Sequence, residues 1–459
     1  MLERTPTSQT RHLADFAATT ELASVPAATR ARLKECLLDT IGVAAFSAQF
    51  AESSPAFRNG VLAMGYGPGD ATVIGEARTY APMQAALLNG AFAHTLDFDD
   101  TNVWGYLHPG APVIAAALVE AERLRSSGAE LLEALAVGYE VACRVGAALG
   151  QTAYDRGFHI TSVAGIFGGV AAAGRLRRID GATIASAFGV AGSSAAGSMQ
   201  YLSNGSWNKR LHPGLAAHAA LLSLGLAQAG VLGAEAAIDG QYGLLAGYTD
   251  KPNAALLTER LGTWWPSTNT ALKPFPSCRL THTAAEAALL LRERATEGQR
   301  RNARLRVRLS PKAVQIVGEP LPNKIKPANI VEGQFSVYFQ VAVSWLDGRC
   351  NWQSYERLGA SDVDTFASTI EVVADDNLAM AAAELTDTVH PSLTLRIDDP
   401  LGESNRPLDP DHVHRKFRDL AMPVYGKERV KRIVERVAAL EEEPDAAVLI
   451  HLLRAESGS

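Results

Sequence analysis

The sequence predicts a mainly α-helical protein, a large all-helical domain with a smaller α+β lid domain inserted before the C-terminal helices. Three observations carry this. Apolar residues recur at helical spacing through roughly the first 265 positions, period-two alternation appears only after about residue 300, and helical spacing returns beyond about residue 400. The expected boundaries are therefore 1–265 and 401–459 for the two parts of the helical domain and 266–400 for the lid.

In chain order, Val25-Pro26 leads into Leu33, Leu37, Ile41 and Ala44, an apolar stripe with proline near the first turn. Ser127-Gly128-Ala129-Glu130 is a capping-box pattern before Leu131, Leu132, Leu135, Tyr139 and Ala142. Residues 165–174 and 189–197 are mostly Gly, Ala and Ser, side chains small enough to let helices approach closely. Leu305, Val307 and Leu309 alternate with Arg304, Arg306 and Arg308, a strand with one wet face. Residues 369–373 and 393–397 are also strand-like, and 334–346 predicts a helix closed by Asp347-Gly348. Asp409-Pro410 is an N-cap and first-turn pair, after which Val430, Ile433, Val434 and Val437 keep helical spacing.

The 459 residues leave room for two domains, and 47% hydrophobic content with a mean hydropathy near zero describes an ordinary globular chain. Lys and Arg number 43 against 49 Asp and Glu, so the net charge of −6 offers no general attraction to nucleic acid or anionic membrane. No stretch of about 20 residues is apolar enough to span a bilayer. Glu3, Arg4 and Thr5 interrupt any signal-peptide core, and Cys36, Cys143, Cys278 and Cys350 are scattered without metal or iron–sulfur spacing. A cytoplasmic setting is the expectation.

Five polar islands interrupt the small-residue background. The first is His94-Thr95-Leu96-Asp97-Phe98-Asp99-Asp100-Thr101, followed by His108-Pro109-Gly110. Three carboxylates in four positions repel one another and disfavour helix interior, so once partly buried they need cations, a metal or a ligand. The plain alternative is a solvated acidic helix end. Gly157-Phe158-His159-Ile160-Thr161-Ser162 is the second, open to a reading as a simple helix start. The third, Trp207-Asn208-Lys209-Arg210-Leu211-His212-Pro213-Gly214, sets two cations before a helix expected near Leu215, where an anion is welcome. In the fourth, Lys273-Pro274-Phe275-Pro276-Ser277-Cys278-Arg279, two prolines hold Lys273 and Arg279 at low entropic cost. The third and fourth read equally well as solvated surface cations. Phe335-Ser336-Val337-Tyr338-Phe339 is the fifth and by composition suits a core.

Other motifs carry less. Asp97-Phe98-Asp99-Asp100-Thr101 has the outline of an aspartyl-phosphate loop, but residues 88–93 before it read as helix, not strand. Gly65-Tyr66-Gly67-Pro68-Gly69 lacks the strand and helix a dinucleotide site requires and reads as a turn. His94, Asp97, Asp99, Asp100 and His108 offer metal-ligand atoms without a fixed ligand spacing, and no metal is assigned.

In order, HTLDFDDT, HPG, GFHITS, KRLHPG, KPFPSC, FSVYF and the following LDG resemble the 2-methylcitrate dehydratase (MmgE/PrpD) family, which includes cis-aconitate decarboxylase and iminodisuccinate epimerase. The resemblance spans about residues 30 to 350. It implies a helical domain with an α+β lid, a homodimer, no metal or organic cofactor, and a small di- or tricarboxylate in the interdomain cleft. Residue by residue, it implies a site of Asp97, Thr101, His108, His159, Lys209 and Lys273, with Arg279, Arg210, His212, Cys278 and Tyr338 as further substrate contacts. The chain departs from the decarboxylases in an extra residue between Thr101 and His108, in Cys278 where they have histidine, and in Phe339 where a tyrosine is expected.

The implied chemistry removes a proton next to a carboxylate. His108 and His159 are the expected acid/base pair, since histidine accepts and returns protons near neutral pH. Lys209 and Lys273 would hold a substrate carboxylate, Asp97 would orient a cation or histidine, and Thr101 would hydrogen-bond substrate. Asp99 and Asp100 are expected to face water or cap helices. Epimerisation of a dicarboxylate is the preferred outcome, because the tyrosine missing at Phe339 removes a candidate polar contact for a leaving hydroxyl; dehydration and decarboxylation are the alternatives. A non-catalytic carboxylate-binding scaffold remains a further reading.

Overall fold

The computed structural model describes residues 8–65 and 69–456, so most of the expected turn at 65–69, like the N-terminal residues Glu3 to Thr5, lies outside the described residues. The first helices are α1 (Gln9–Thr19), α2 (Ala27–Phe50), α3 (Ser54–Ala63), α4 (Pro82–Thr95), α5 (Gly110–Leu124), α6 (Gly128–Asp155), α7 (Ile160–Leu176), α8 (Gly181–Gly192) and α9 (Asn208–Gln228). A two-residue hairpin, β1 (Ala71–Thr72) with β2 (Thr79–Tyr80), precedes α4. The smaller part contains α10 (His282–Arg294), β3 (Leu305–Leu309), α11 (Val337–Asp347), β4 (Glu371–Ala374), β5 (Ala383–Asp387) and β6 (Thr394–Ile397). The long helix α12 (Pro410–Ala438) then packs back against α2.

Local chemistry sets these boundaries. Ser127 Oγ accepts from Glu130 N at 3.2 Å while Glu130 Oε2 accepts from Ser127 N at 2.8 Å, so the capping box forms as expected. Asp409 Oδ1 accepts from His412 N at 2.7 Å and opens α12. Gly348 ends α11 in the left-handed conformation, φ 68°. The helix expected from Leu215 begins earlier, at Asn208, and carries Pro213 inside it. KRLHPG is therefore helix, not an approach loop.

The sheet order is β4-β3-β5-β6, with β3 parallel to β4 and the other pairs antiparallel. Strand β5 was not anticipated. Its sequence, Ala-Glu-Leu-Thr-Asp, alternates inward Ala383 and Leu385 with Glu384 and Thr386, too short and polar a run to stand out. One apolar core draws on α1–α9 and α12; a second lies between α10, α11 and the sheet, with Met199 and Tyr201 reaching into it from the helical part.

The small residues do positional work where α4 crosses α9. A Cβ on Gly90 would lie 2.7 Å from Gly214 Cα, and one on Gly214 only 2.1 Å from Leu87 O. Backbone-to-backbone contact here sets the end of α4, with His94 and the following acidic turn, beside the start of α9, with Lys209 and His212. Gly214→Val is expected to overpack the crossing and destabilise the fold by about 1–3 kcal/mol, read as a lower urea midpoint.

Candidate active site

A cavity of about 140 Å³ lies between the two cores, and all five sequence islands contribute to its wall. Asp97 occupies the turn after α4 with φ 51°, a left-handed conformation that aspartate tolerates better than most residues. Thr101 pairs its backbone with Ala271, N to O at 2.9 and 2.7 Å, which stitches the acidic turn to the loop bearing Lys273. His108 precedes α5, and its N–H donates to Thr161 Oγ1 at 3.1 Å. His159 sits at the N-cap of α7 and Lys209 in the first turn of α9.

Asp97 is the centre. Its Oδ1 lies 2.6 Å from Lys273 Nζ and 2.8 Å from Lys209 Nζ, with all three side chains buried. Burial alone would raise the Asp97 pKa, but Lys209 and Lys273 together overcome it and hold the carboxyl well below its usual range. The two lysines are not equivalent. Lys273 Nζ donates to Asp97 Oδ1, to Asp97 O at 2.9 Å and to Ser277 O at 3.1 Å, so its three protons are spent. Lys209 Nζ is close to Asp97 but not aligned for a hydrogen bond, and is left without a partner. Lys209 has donors to give, whereas Lys273 holds the Asp97 turn in shape.

The histidines form a buried column. The rings of His108 and His159 flank that of His94, at centroid distances of 4.7 and 5.5 Å, and His159 Nδ1 meets His212 Nδ1 at 2.9 Å. Burial lowers the His108 pKa to about 3 and that of His212 to about 4; it also drives His159 well down, with His212 adding to the effect. Neutral rings follow at pH 7. His108 Nδ1 lies 2.8 Å from the Asp100 carbonyl, which accepts only, so Nδ1 carries the proton and Nε2 the lone pair.

Asp99 and Asp100 do not face water. Asp99 is fully buried and pairs with His94 Nδ1 at 2.8 Å. Asp100, also buried, accepts from Tyr139 Oη at 2.7 Å and from Gly110 N at 3.0 Å at the start of α5, so the capping expectation holds for it. Burial raises its pKa to about 7. His94, Asp99 and His108 bring one ligand atom each to within 4.8 Å of one another. His94 Nδ1 and His108 Nδ1 are already committed to Asp99 and to the Asp100 carbonyl, and the ammonium groups beside Asp97 oppose a further cation.

The remaining expected contacts divide. Cys278 lines the cavity, with burial raising its thiol pKa. Arg279 lines it too but is ion-paired with Glu403. His212 reaches the cavity only through His159. Arg210 points away, its Nη1 2.8 Å from Glu52 Oε1 and 2.9 Å from Ser53 Oγ. Tyr338 is buried in the smaller core, donating to Gly318 O at 3.0 Å; its motif contributes Phe335 to the wall instead. Phe339 stacks on Tyr355, whose hydroxyl donates to Pro276 O at 2.6 Å inside the Lys273 loop.

Sequence reasoning missed the supports. Lys416 of α12 pairs with Asp39 of α2 at 2.7 Å and donates to Phe98 O and Lys273 O at 2.7 and 3.0 Å, clamping the two loops from behind. Gln334 donates to Leu96 O at 2.8 Å and accepts from Cys278 N at 2.9 Å, joining the smaller part to the acidic turn. A lone lysine or glutamine in a helical pattern carries no signal of such a role.

The MmgE/PrpD N-terminal domain matches residues 11–257 and the MmgE/PrpD C-terminal domain residues 275–442. The chain belongs to the MmgE/PrpD family. Within it, the chain is similar to the cis-aconitate decarboxylase of Aspergillus terreus, 28% identical over 97% of this chain and 95% of that protein. It is 27% identical to the cis-aconitate decarboxylase-like protein oryM of Aspergillus oryzae over 97% of each. The cis-aconitate decarboxylase of Homo sapiens is 29% identical over 82% of this chain and 80% of its own length.

Because His108 is held neutral with Nδ1 protonated, ¹⁵N-edited NMR is expected to show one tautomer, unprotonated at Nε2, from pH 8 down to pH 5. Protonation near pH 6.5 would contradict the burial described. The column also links pH to stability. With folded-state pKa values below those of the unfolded chain, these histidines contribute stability that is present above about pH 6.5 and lost as pH falls towards 3.

Proposed function

We propose that this MmgE/PrpD protein is a lyase that cleaves a bond next to a carboxylate of a small di- or tricarboxylate, using neither metal nor organic cofactor. The observation that carries the proposal is the meeting of Asp97, His108, His159, Lys209 and Lys273, from four separate islands, in one cavity. A carboxylate-binding scaffold has no use for two neutral histidines beside two ammonium groups. The similarity to cis-aconitate decarboxylases supports the lyase outcome.

Breaking a C–H or C–carboxylate bond beside a carboxylate leaves a carbanion whose charge spreads into that carboxylate. A positioned base or acid supplies about 10²–10⁴-fold, roughly 3–5 kcal/mol. Donors aimed at the developing charge supply about 3–4 kcal/mol each. Lys209 gives such a donor directly, and Lys273 acts through its field. His108 Nε2 is the base. His159 shares one proton with His212 between their Nδ1 atoms; when His212 donates, His159 carries its own proton on Nε2 and can offer it to substrate. Thr101 Oγ1, 3.4 Å from His108 Nδ1, stands beside the base as a neutral substrate contact.

Epimerisation needs acid/base groups on both faces of the carbanion. The cis-aconitate decarboxylases among the relatives are what favours a lyase over an epimerase here. The homodimer and the cytoplasmic setting belong to the same proposal. Among the described residues no helix is long and apolar enough to cross a membrane.

Following candidate dicarboxylates and tricarboxylates by NMR in D₂O separates the outcomes. Either CO₂ is released with one solvent deuteron placed on the product carbon, or an alkene forms with loss of water, while racemisation alone would favour the epimerase. His108→Ala and His159→Ala each slow turnover by about 10²–10⁴-fold, and near-normal turnover in both would refute their roles. The acid limb of kcat/KM falls below pH 5, because the base form of His108 persists to about pH 3, and dialysis against EDTA leaves the rate unchanged.

A further inference from the structure

Among the described residues three cations line the cavity, and two of them are already hydrogen-bonded. Lys273 has given its three protons to Asp97 and Ser277, and Arg279 is tied to Glu403. Lys209, ion-paired with Asp97 but without a hydrogen-bond partner among the described residues, keeps donors to spare; it is 4% exposed and 5.5 Å from the centre of the Phe335 ring. Inside the site, the carboxylates of Asp97 and Asp99 balance the two ammonium groups before any ligand arrives. Neutral His108, His159 and Cys278 add no charge.

The rest of the wall has a different character. Tyr154, Tyr201, Leu280, Phe335 and Met380 present rings, an isobutyl group and a thioether, and the polar atoms here, the two phenol hydroxyls and the amides of Asn102 and Gln151, are uncharged. Tyr201 packs within 6.3 Å of Phe335 and 6.0 Å of His159, so this surface begins next to the reacting groups. A first carboxylate has Lys209, and a second has the hydroxyl of Thr101 and the imidazole of His159. A third would be buried against uncharged surface with no further cation free among the described residues, which is unfavourable.

We infer that the substrate is an alkyl-substituted C4 dicarboxylate, with one carboxylate on Lys209 and an apolar substituent against Tyr201, Phe335 and Met380 where a tricarboxylate would carry its third charge. This rests on the proposed reading of the cavity as a carboxylate lyase site and names the substrate class for it.

A matched pair of ligands tests it on the intact protein. 2-Ethylmaleate and cis-aconitate share a skeleton and differ only in a terminal methyl against a carboxylate. Calorimetric titration is expected to give 2-ethylmaleate a Kd at least about tenfold lower, and Lys209→Met is expected to weaken it by about tenfold or more. Equal or tighter binding of cis-aconitate, binding of neither, or undiminished binding by a folded Lys209→Met protein would overturn the inference. The comparison of ligands needs no variant, so it stands if Lys209→Met does not fold. Tight binding and decarboxylation of cis-aconitate would remove the substrate class and leave the lyase reading. Tight binding of 2-ethylmaleate with neither deuterium exchange nor bond cleavage would do the reverse.

Discussion

A carboxylate sunk between two ammonium groups governs this molecule. Asp97 is buried, its backbone is left-handed, and Oδ2 accepts no hydrogen bond, three features that disfavour it individually. Lys273 offsets them by binding both the carboxylate and the carbonyl of the same residue. Removing one partner from such a buried pair typically costs about 3–5 kcal/mol. The cluster is therefore a folding constraint as well as a chemical one: the acidic turn, α9 and the Lys273 loop must all arrive for any of them to be stable in place.

From that constraint the division of labour between the lysines follows. An ammonium with three acceptors is a fixed charge, and one with a single misaligned acceptor is a ready donor. Lys416 and Asp39 repeat the arrangement one layer deeper, where Lys416 also lies 3.7 Å from the centre of the Phe98 ring. The long C-terminal helix thus returns to the helical part at the point where it can brace both loops. Positive charge is stacked in layers behind the cavity, each layer nearly neutral overall, so the site holds a strong local field without a large net charge.

Much of the fold was legible because periodicity reports burial. The capping box at Ser127, the strand at Leu305–Leu309 and the Asp409 cap all appear where local chemistry placed them. Strand β5 escaped because five residues with two acids and a threonine carry too little apolar signal. The start of α9 escaped because Pro213 suggests a helix beginning later than it does. Within the site, resemblance and residue type named the members, and Asp97, Thr101, His108, His159, Lys209, Lys273 and Cys278 do share one cavity. Sequence could not give direction. Arg210 and Tyr338 lie in motifs beside cavity residues yet point elsewhere, since on a helix a one-residue step turns a side chain by about 100°.

The central claim is that a carboxylate lands on Lys209 in a place that Lys273 and Asp97 prepare. A crystal structure with 2-ethylmaleate bound tests it most directly. The account predicts a ligand carboxylate within hydrogen-bond distance of Lys209 Nζ, with Lys273 still bound to Asp97 and Ser277. A ligand carboxylate seated on Lys273 or Arg279, with Lys209 turned away from it, would contradict the account.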